Sequence, residues 1–297
     1  MSQQLSAGTA AALVPDTAHG PSARPASPGN RRFPAPTWTD TVAAEWLKLR
    51  AMRATRVIAW LGPILGVALC VLLAVAVGLE SDTWSAQDRA DFDPLLFSLI
   101  SGLVSGVMII LLGVLAGAGE FRTGLIRVTL TVTPRRGRVL LAKVAVVAVV
   151  SWVGFTVVAV LATLAVQPVF HAYDLPGIAA AHLDAGEETR TLVTAIAVAP
   201  VLPLIGLSFA VLTRSTAGGV TSVLGLLFAP EIAGGLLPSW VADHILIYLP
   251  GAATDSVSRT GAEDAGHLSV AVAVLVVAAW LAFFLGAAHR TLQRRDA

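Results

Sequence analysis

Six stretches of this chain are too long and too apolar for a water-soluble domain. They run over 57–79, 94–118, 139–166, 191–212, 217–237 and 268–288. Each has the roughly 20 residues a helix needs to cross about 30 Å of hydrocarbon. In that medium a lone segment satisfies its own backbone polar groups only as a helix. Charged residues make up 13% of the chain, against about 25% in soluble domains. The expectation is an all-α integral membrane protein with six transmembrane helices. The fifth segment is the weakest. Pro230, Glu231, Gly234, Gly235 and Pro238 interrupt it, leaving open whether a continuous helix ends before Glu231.

Orientation follows from Lys and Arg, which accumulate in cytoplasmic connections. With the N-terminus in the cytoplasm, all of the 20 basic residues except Arg89, Arg190 and Arg259 fall inside. The outer loops are acidic, with Glu80, Asp82 and Asp88 after the first span and Asp255, Glu263 and Asp264 before the last. Both termini are therefore expected in the cytoplasm. Residues 1–40 are rich in Ala, Pro, Ser and Gly and read as a disordered tail. The tail has no apolar signal core, so no cleavage is expected. Residues 41–56 read as a helix in the membrane interface with Trp46 at headgroup level, or as a plain basic anchor before the first span.

The connection at 119–138 is the most distinctive hydrophilic stretch. At 100° per residue Phe121, Leu125, Val128 and Val132 share one apolar arc, while Glu120, Gly124, Arg127 and Thr131 share a polar one. Pro134 then stops the helix. Pairs of glycines four apart (Gly62/Gly66, Gly102/Gly106, Gly113/Gly117) offer faces for close helix packing, with Ser98 extending the stripe on the second span. Pro63, Pro200 and Pro203 predict kinks in spans one and four. Cys70, the one cysteine, reads as a packing residue.

The run GEFRTGLIRVTLTVTPRRGRVLLAK (119–143), after a Gly-rich second span, resembles the permease subunits of type-2 ABC exporters, especially those of high-GC Gram-positive bacteria. EWLKLR (45–50) is similar to that family's opening, and LLPSWVADHILIYLPGAA (236–253) to its loop before the last span. The resemblance implies an interfacial helix at 41–56 and a cytoplasmic coupling segment at 119–138. It also implies an outer re-entrant region, within 231–267. ATPase-coupling residues would be Glu120, Phe121, Leu125, Arg127, Val128 and Val132. The implied partners are a cytosolic ABC ATP-binding subunit, a second permease subunit (homo- or heterodimer) and membrane lipids, in the cell membrane.

Residue chemistry adds mostly exclusions. There is no GxxxxGK[ST], HExxH or GxSxG, and GAGEFR lacks the third glycine and preceding strand of a dinucleotide fingerprint. No cofactor, metal or catalytic residue is expected. PRRGR (134–138) reads as positive-inside charge, not a nucleic-acid hook. If the chain has no engine, work must come from a partner, through the apolar arc docked in an ATPase groove; the alternative lays that arc on the membrane or on span three. Glu231, Trp240 and Tyr248 are candidates for an outer gate or rim. Glu231 could instead cap a turn near the outer surface, and Trp84, Trp240 and Tyr248 could be interfacial anchors. Lys143 can snorkel to the inner surface and needs no catalytic role. The rival readings are a non-transporting membrane scaffold, a membrane enzyme, or an ion-coupled secondary transporter. The transported substrate would be a drug, lipid or peptide.

Overall fold

Capping and packing, more than propensity, decide where the helices begin and end. The computed structural model describes residues 36–92, 94–123, 136–176, 187–234, 236–258 and 267–294, and among them there is helix and no strand. The first helix, α1 (Trp38–Ala51), opens on a capping box: Thr37 Oγ1 accepts from the Asp40 amide at 3.2 Å and Asp40 Oδ2 accepts from the Thr37 amide at 2.9 Å. The helix therefore starts inside what reads as tail. It stops at Met52, whose backbone is extended, and α2 (Arg53–Glu80) follows at once. The helix expected over 41–56 is thus divided, and Arg53 and Arg56 belong to the base of the first span. The buried stripe of α1 is Thr41, Glu45 and Leu49, while Trp46 and Leu47 face outward.

A short 3-10 turn (Ser81–Thr83) and α3 (Ala86–Asp91) lead to α4 (Pro94–Ser98) and α5 (Ser101–Thr123). The second expected span is therefore broken at Leu99–Ile100. Gly102 donates to the Leu99 carbonyl in place of Ser98, and the Cys70 thiol lies 3.8 Å from the Phe97 and Ser98 carbonyls as a weak donor. Gly66 lets the first span approach here, since a Cβ would sit 2.7 Å from the Ser101 carbonyl. Next comes α6 (Arg136–Ala172), 37 residues long, or about 55 Å. It closes with Asp174 left-handed at φ 51° and the Leu175 amide on the Phe170 carbonyl at 2.9 Å.

The fourth span is two helices, α7 (Glu187–Val198) and α8 (Val201–Thr213), parted at Ala199–Pro200 where the sequence predicts a kink. Pro203 sits in the first turn of α8, where its missing N–H costs nothing. Pro63 does not interrupt α2. Then come α9 (Thr216–Gly234), α10 (Ser239–His244), a 3-10 turn (Leu246–Tyr248), α11 (Pro250–Ser258) and α12 (Val270–Arg294).

Among the described residues five segments are long and apolar enough to cross a membrane: Arg53–Thr83, Ser101–Phe121, Arg136–Ala172, Arg190–Thr213 and Val270–Arg294. The fifth expected span, 217–237, is shorter than predicted. The helix runs through Pro230 and Glu231 to Gly234, but its apolar part is Thr216–Pro230, about 22 Å. This is a multi-pass helical membrane protein by length and composition.

The rods alternate in direction. At one end, called basal here, ion pairs join α1 to the end of α5 and the start of α6, and Arg136 Nη1 donates to the Leu292 carbonyl of α12 at 2.6 Å. At the distal end Arg89 donates to the carbonyls of Ser81 (2.8 Å) and Asp174 (3.4 Å), tying α3 to the ends of α2 and α6. The N-terminal helix and the C-terminal end of α12 thus share the basal end. Among the described residues every Lys and Arg except Arg89 and Arg190 lies there as well.

One of the glycine pairs marks a backbone contact at both positions. Gly113 and Gly117 on α5 face the carbonyls of Pro203 and Leu207 on α8, so a Cβ at either meets backbone. Gly62 and Gly66 pack α2 on α5. The third pair divides: Gly102 lies under Phe155, and Gly106 has open space.

After α9 the chain dips back into the bundle. Trp280, 10 residues and about 15 Å along α12, donates from Nε1 to the Tyr248 carbonyl at 2.8 Å, while the Leu268 amide at the start of α12 donates to Ser256 Oγ at 3.3 Å. So α11 climbs from mid-depth to the distal end, with Ala253 buried between Val223 and Val277. Trp280→Phe, which keeps a ring on Phe284 but loses the donor, is expected to cost about 0.5–1.5 kcal/mol, read as a small fall in detergent unfolding temperature.

Candidate functional site

Four charged side chains meet at the basal end. Glu45 and Lys48 lie one turn apart on α1, Glu120 is near the end of α5, and Lys143 lies two turns into α6. Lys48 Nζ is 2.7 Å from Glu45 Oε1 and 2.6 Å from Glu120 Oε1; Lys143 Nζ is 2.5 Å from Glu45 Oε2 and 3.3 Å from Glu120 Oε1. Each ammonium faces both carboxylates, and the charges sum to zero. Glu45, Glu120 and Lys143 are buried at 4%, 6% and 7% exposure; Lys48 keeps about a third of its side chain in solvent, 35%. Burial alone would depress the Lys48 ammonium, but the hydrogen bonds and charges of Glu120 and Glu45 outweigh it and hold its pKa above the ordinary 10.5.

Such a ring is not a large net source of stability, because desolvation offsets the attraction. Its effect is positional. Helix α1 is fastened simultaneously to the last turn of α5 and to α6. A cavity of about 260 Å³ adjoins the ring, walled by Leu49, Met52, Leu115, Ala116 and Val146. Its carboxylates already face ammonium groups.

One residue further on, Phe121 turns into the bundle beside Leu140, Val144 and Leu292. Of the two placements open to the apolar arc, this residue adopts the one against the third span. The Arg214 guanidinium lies over its ring at 5.6 Å, a cation–π contact. Arg214 occupies the tight turn between α8 and α9 at φ 53°, a left-handed position that ordinarily suits Gly or Asn. The basal turn of the second half is thereby tied to the end of α5.

Of the residues expected to couple, Glu120 and Phe121 are therefore internal at the root of the connection. Leu125, Arg127, Val128 and Val132 lie outside the described residues. Lys143 does not snorkel outward; it is buried against Glu45. Glu231 lies on the last turn of α9, and its side chain is outside the described set. Trp240 and Tyr248 are exposed, at 58% and 45%. Trp84, expected as an anchor, packs into an aromatic cluster, 5.5 Å from Phe92. Among the described residues no group of three or more His, Cys, Asp or Glu side chains gathers for a metal.

Sequence reading missed Glu45, Lys48, Lys143 and Arg214 as a connected set. The available signal was complementary: an acid and a base one turn apart on α1, an acid ending one span and a lysine opening the next. Compared with protein-family models and with curated proteins, the chain matches none.

Proposed function

We propose that this chain is the membrane-spanning subunit of an ATP-driven exporter of the type-2 ABC kind that its motifs resemble. It would have six spans, counting α9, with both termini in the cytoplasm. It would sit in the cell membrane beside a second permease subunit and a separate ATP-binding subunit, moving a drug, lipid or peptide. The observation that carries this reading is the quartet. It joins α1, the root of the 124–135 connection and α6 into one unit, so a push on that connection moves three helices together. A subunit driven by a partner needs such a joint near the point where force enters.

A second reading draws on the same four charges, because paired buried ions are what an ion-coupled transporter requires. Here the charges already balance, and they lie at the ends of their spans, leaving no net charge for a coupling ion to replace. Affinity purification in mild detergent separates the two. An ATPase is expected to co-purify with the wild type and to be lost from Leu125→Asp and Val128→Asp, with membrane insertion intact. Unchanged ATPase recovery in both variants would remove the exporter reading, and transport abolished by a protonophore at constant ATP would favour the ion-coupled one.

A further inference from the structure

A second basic feature lies at the basal end, outside the quartet. The first turn of α6 (Arg136, Gly137, Arg138), the end of α12 (His289, Gln293) and Trp38 at the start of α1 enclose an open groove of about 540 Å³. Among the described residues no acidic side chain lines it. The groove is built, not incidental. Arg138 Nη1 donates to the Pro36 carbonyl at 2.8 Å, which fixes its fork while spending one of five donors. Arg136 Nη1 is held by the carbonyls of Leu292 at 2.6 Å and Gln293 at 3.4 Å. His289 lies over Gly137, where a Cβ would come within 2.9 Å of Cε1, so glycine is what lets α12 close on α6. The Gln293 amide nitrogen then stands 2.8 Å from His289 Nε2.

Its height is set by the sequence. The apolar run of α6 begins at Val139 and that of α12 ends at Ala288, so the groove sits where hydrocarbon gives way to headgroups. One wall is Leu141, 60% exposed, and the same face of α6 continues through the half-buried Ala148 to Trp152, 43% exposed. A basic groove thus opens directly onto an exposed apolar strip, with Trp38 beside it at the level where aromatic rings anchor.

We propose that this groove binds the phosphate headgroup of an anionic phospholipid, with the acyl chains lying along the exposed strip of α6. Arg136 and Arg138 supply the planar forks that suit phosphate, in the kind of basic pocket between spans that receives acidic headgroups. A zwitterionic lipid carries the same phosphate but brings a cation beside Arg136 and Arg138, with no acid among the described lining residues to receive it. The chain's own preceding residues are a poor occupant, since Arg31 and Arg32 add positive charge and Asp16 is the one acid among residues 1–35. Asp40, the nearest acid on α1, is held by Thr37. The proposal does not depend on the exporter reading.

The test is thermal unfolding and native mass spectrometry of the full chain in detergent, with phosphatidylglycerol, phosphatidylcholine of the same acyl chains, or inorganic phosphate. Phosphatidylglycerol is expected to raise the unfolding temperature and remain bound, and the other two are not. Arg138→Gln should weaken retention about tenfold, the worth of one charge-assisted bond, and Arg138→Lys should recover part of it. His289→Glu, which leaves the Arg138–Pro36 bond alone, should abolish the preference for the anionic lipid. Arg290→Gln removes an exposed charge outside the groove and should change nothing. Equal stabilisation by phosphatidylcholine or by inorganic phosphate would overturn the proposal, as would wild-type retention in both Arg138→Gln and His289→Glu or an equal loss in Arg290→Gln.

Discussion

Lys143→Met is expected to destabilise the protein by about 3–5 kcal/mol, the cost of leaving a buried charge without its partner. Methionine replaces most of the stem volume, so the loss isolates the ammonium. What remains is Glu45 and Glu120, both buried, facing one partly exposed lysine. The check is unfolding temperature in detergent together with the accessibility of a cysteine placed on α1, which should rise as the helix detaches. The paired variant Glu45→Gln/Lys143→Met removes one charge of each sign and keeps the 2.6 Å Lys48–Glu120 contact. Most of the stability should return. Additive losses in the pair would show that the four groups do not act as one ring. Arg50→Met, an exposed base on the same helix, should stay within about 0.5 kcal/mol of wild type.

The second large effect is expected at Gly113→Ala. The added methyl would be driven into the Pro203 carbonyl, and a backbone group cannot rotate away as a side chain can. Either α5 and α8 separate or both helices shift, at a cost of about 1–3 kcal/mol for overpacking. One turn away, Gly117→Ala meets the Leu207 carbonyl at 2.6 Å and should behave alike. Gly106→Ala is the control, because nothing lies within 4 Å of its Cβ; it should be neutral, or slightly stabilising through helix propensity. If Gly106→Ala and Gly113→Ala lose equal stability, α5 does not rest on α8 by this face.

Hydropathy made the helical membrane architecture legible, since segments of that length have no other way to satisfy their backbone. The alternation of rods and the sorting of basic residues to one end were legible for the same reason. The breaks were not. Leu99–Ile100 carries neither proline nor glycine, and the interruption lies where Cys70 and Gly66 on another helix meet the chain. Met52 is equally silent, since neither it nor its neighbours Ala51 and Arg53 is a residue that ends helices. Lys143 was misread because one lysine near a span end looks the same whether it reaches for water or for Glu45. The apolar arc from Phe121 to Val132 was plain in the sequence, but only its first residue lies within the described structure.

The quartet also sets an order of assembly. Glu45 and Lys143 are 98 residues apart, and Lys48 and Glu120 are 72 apart. During synthesis from the N-terminus, α1 has only its internal Glu45–Lys48 pair until α5 is made. The ring closes when the start of α6 emerges. The first three spans are thereby knotted to the amino-terminal helix before α7 exists, so a nascent chain halted near residue 100 would leave that helix adrift, one halted near 123 would hold it by Lys48–Glu120 alone, and one halted near 172 by the whole ring.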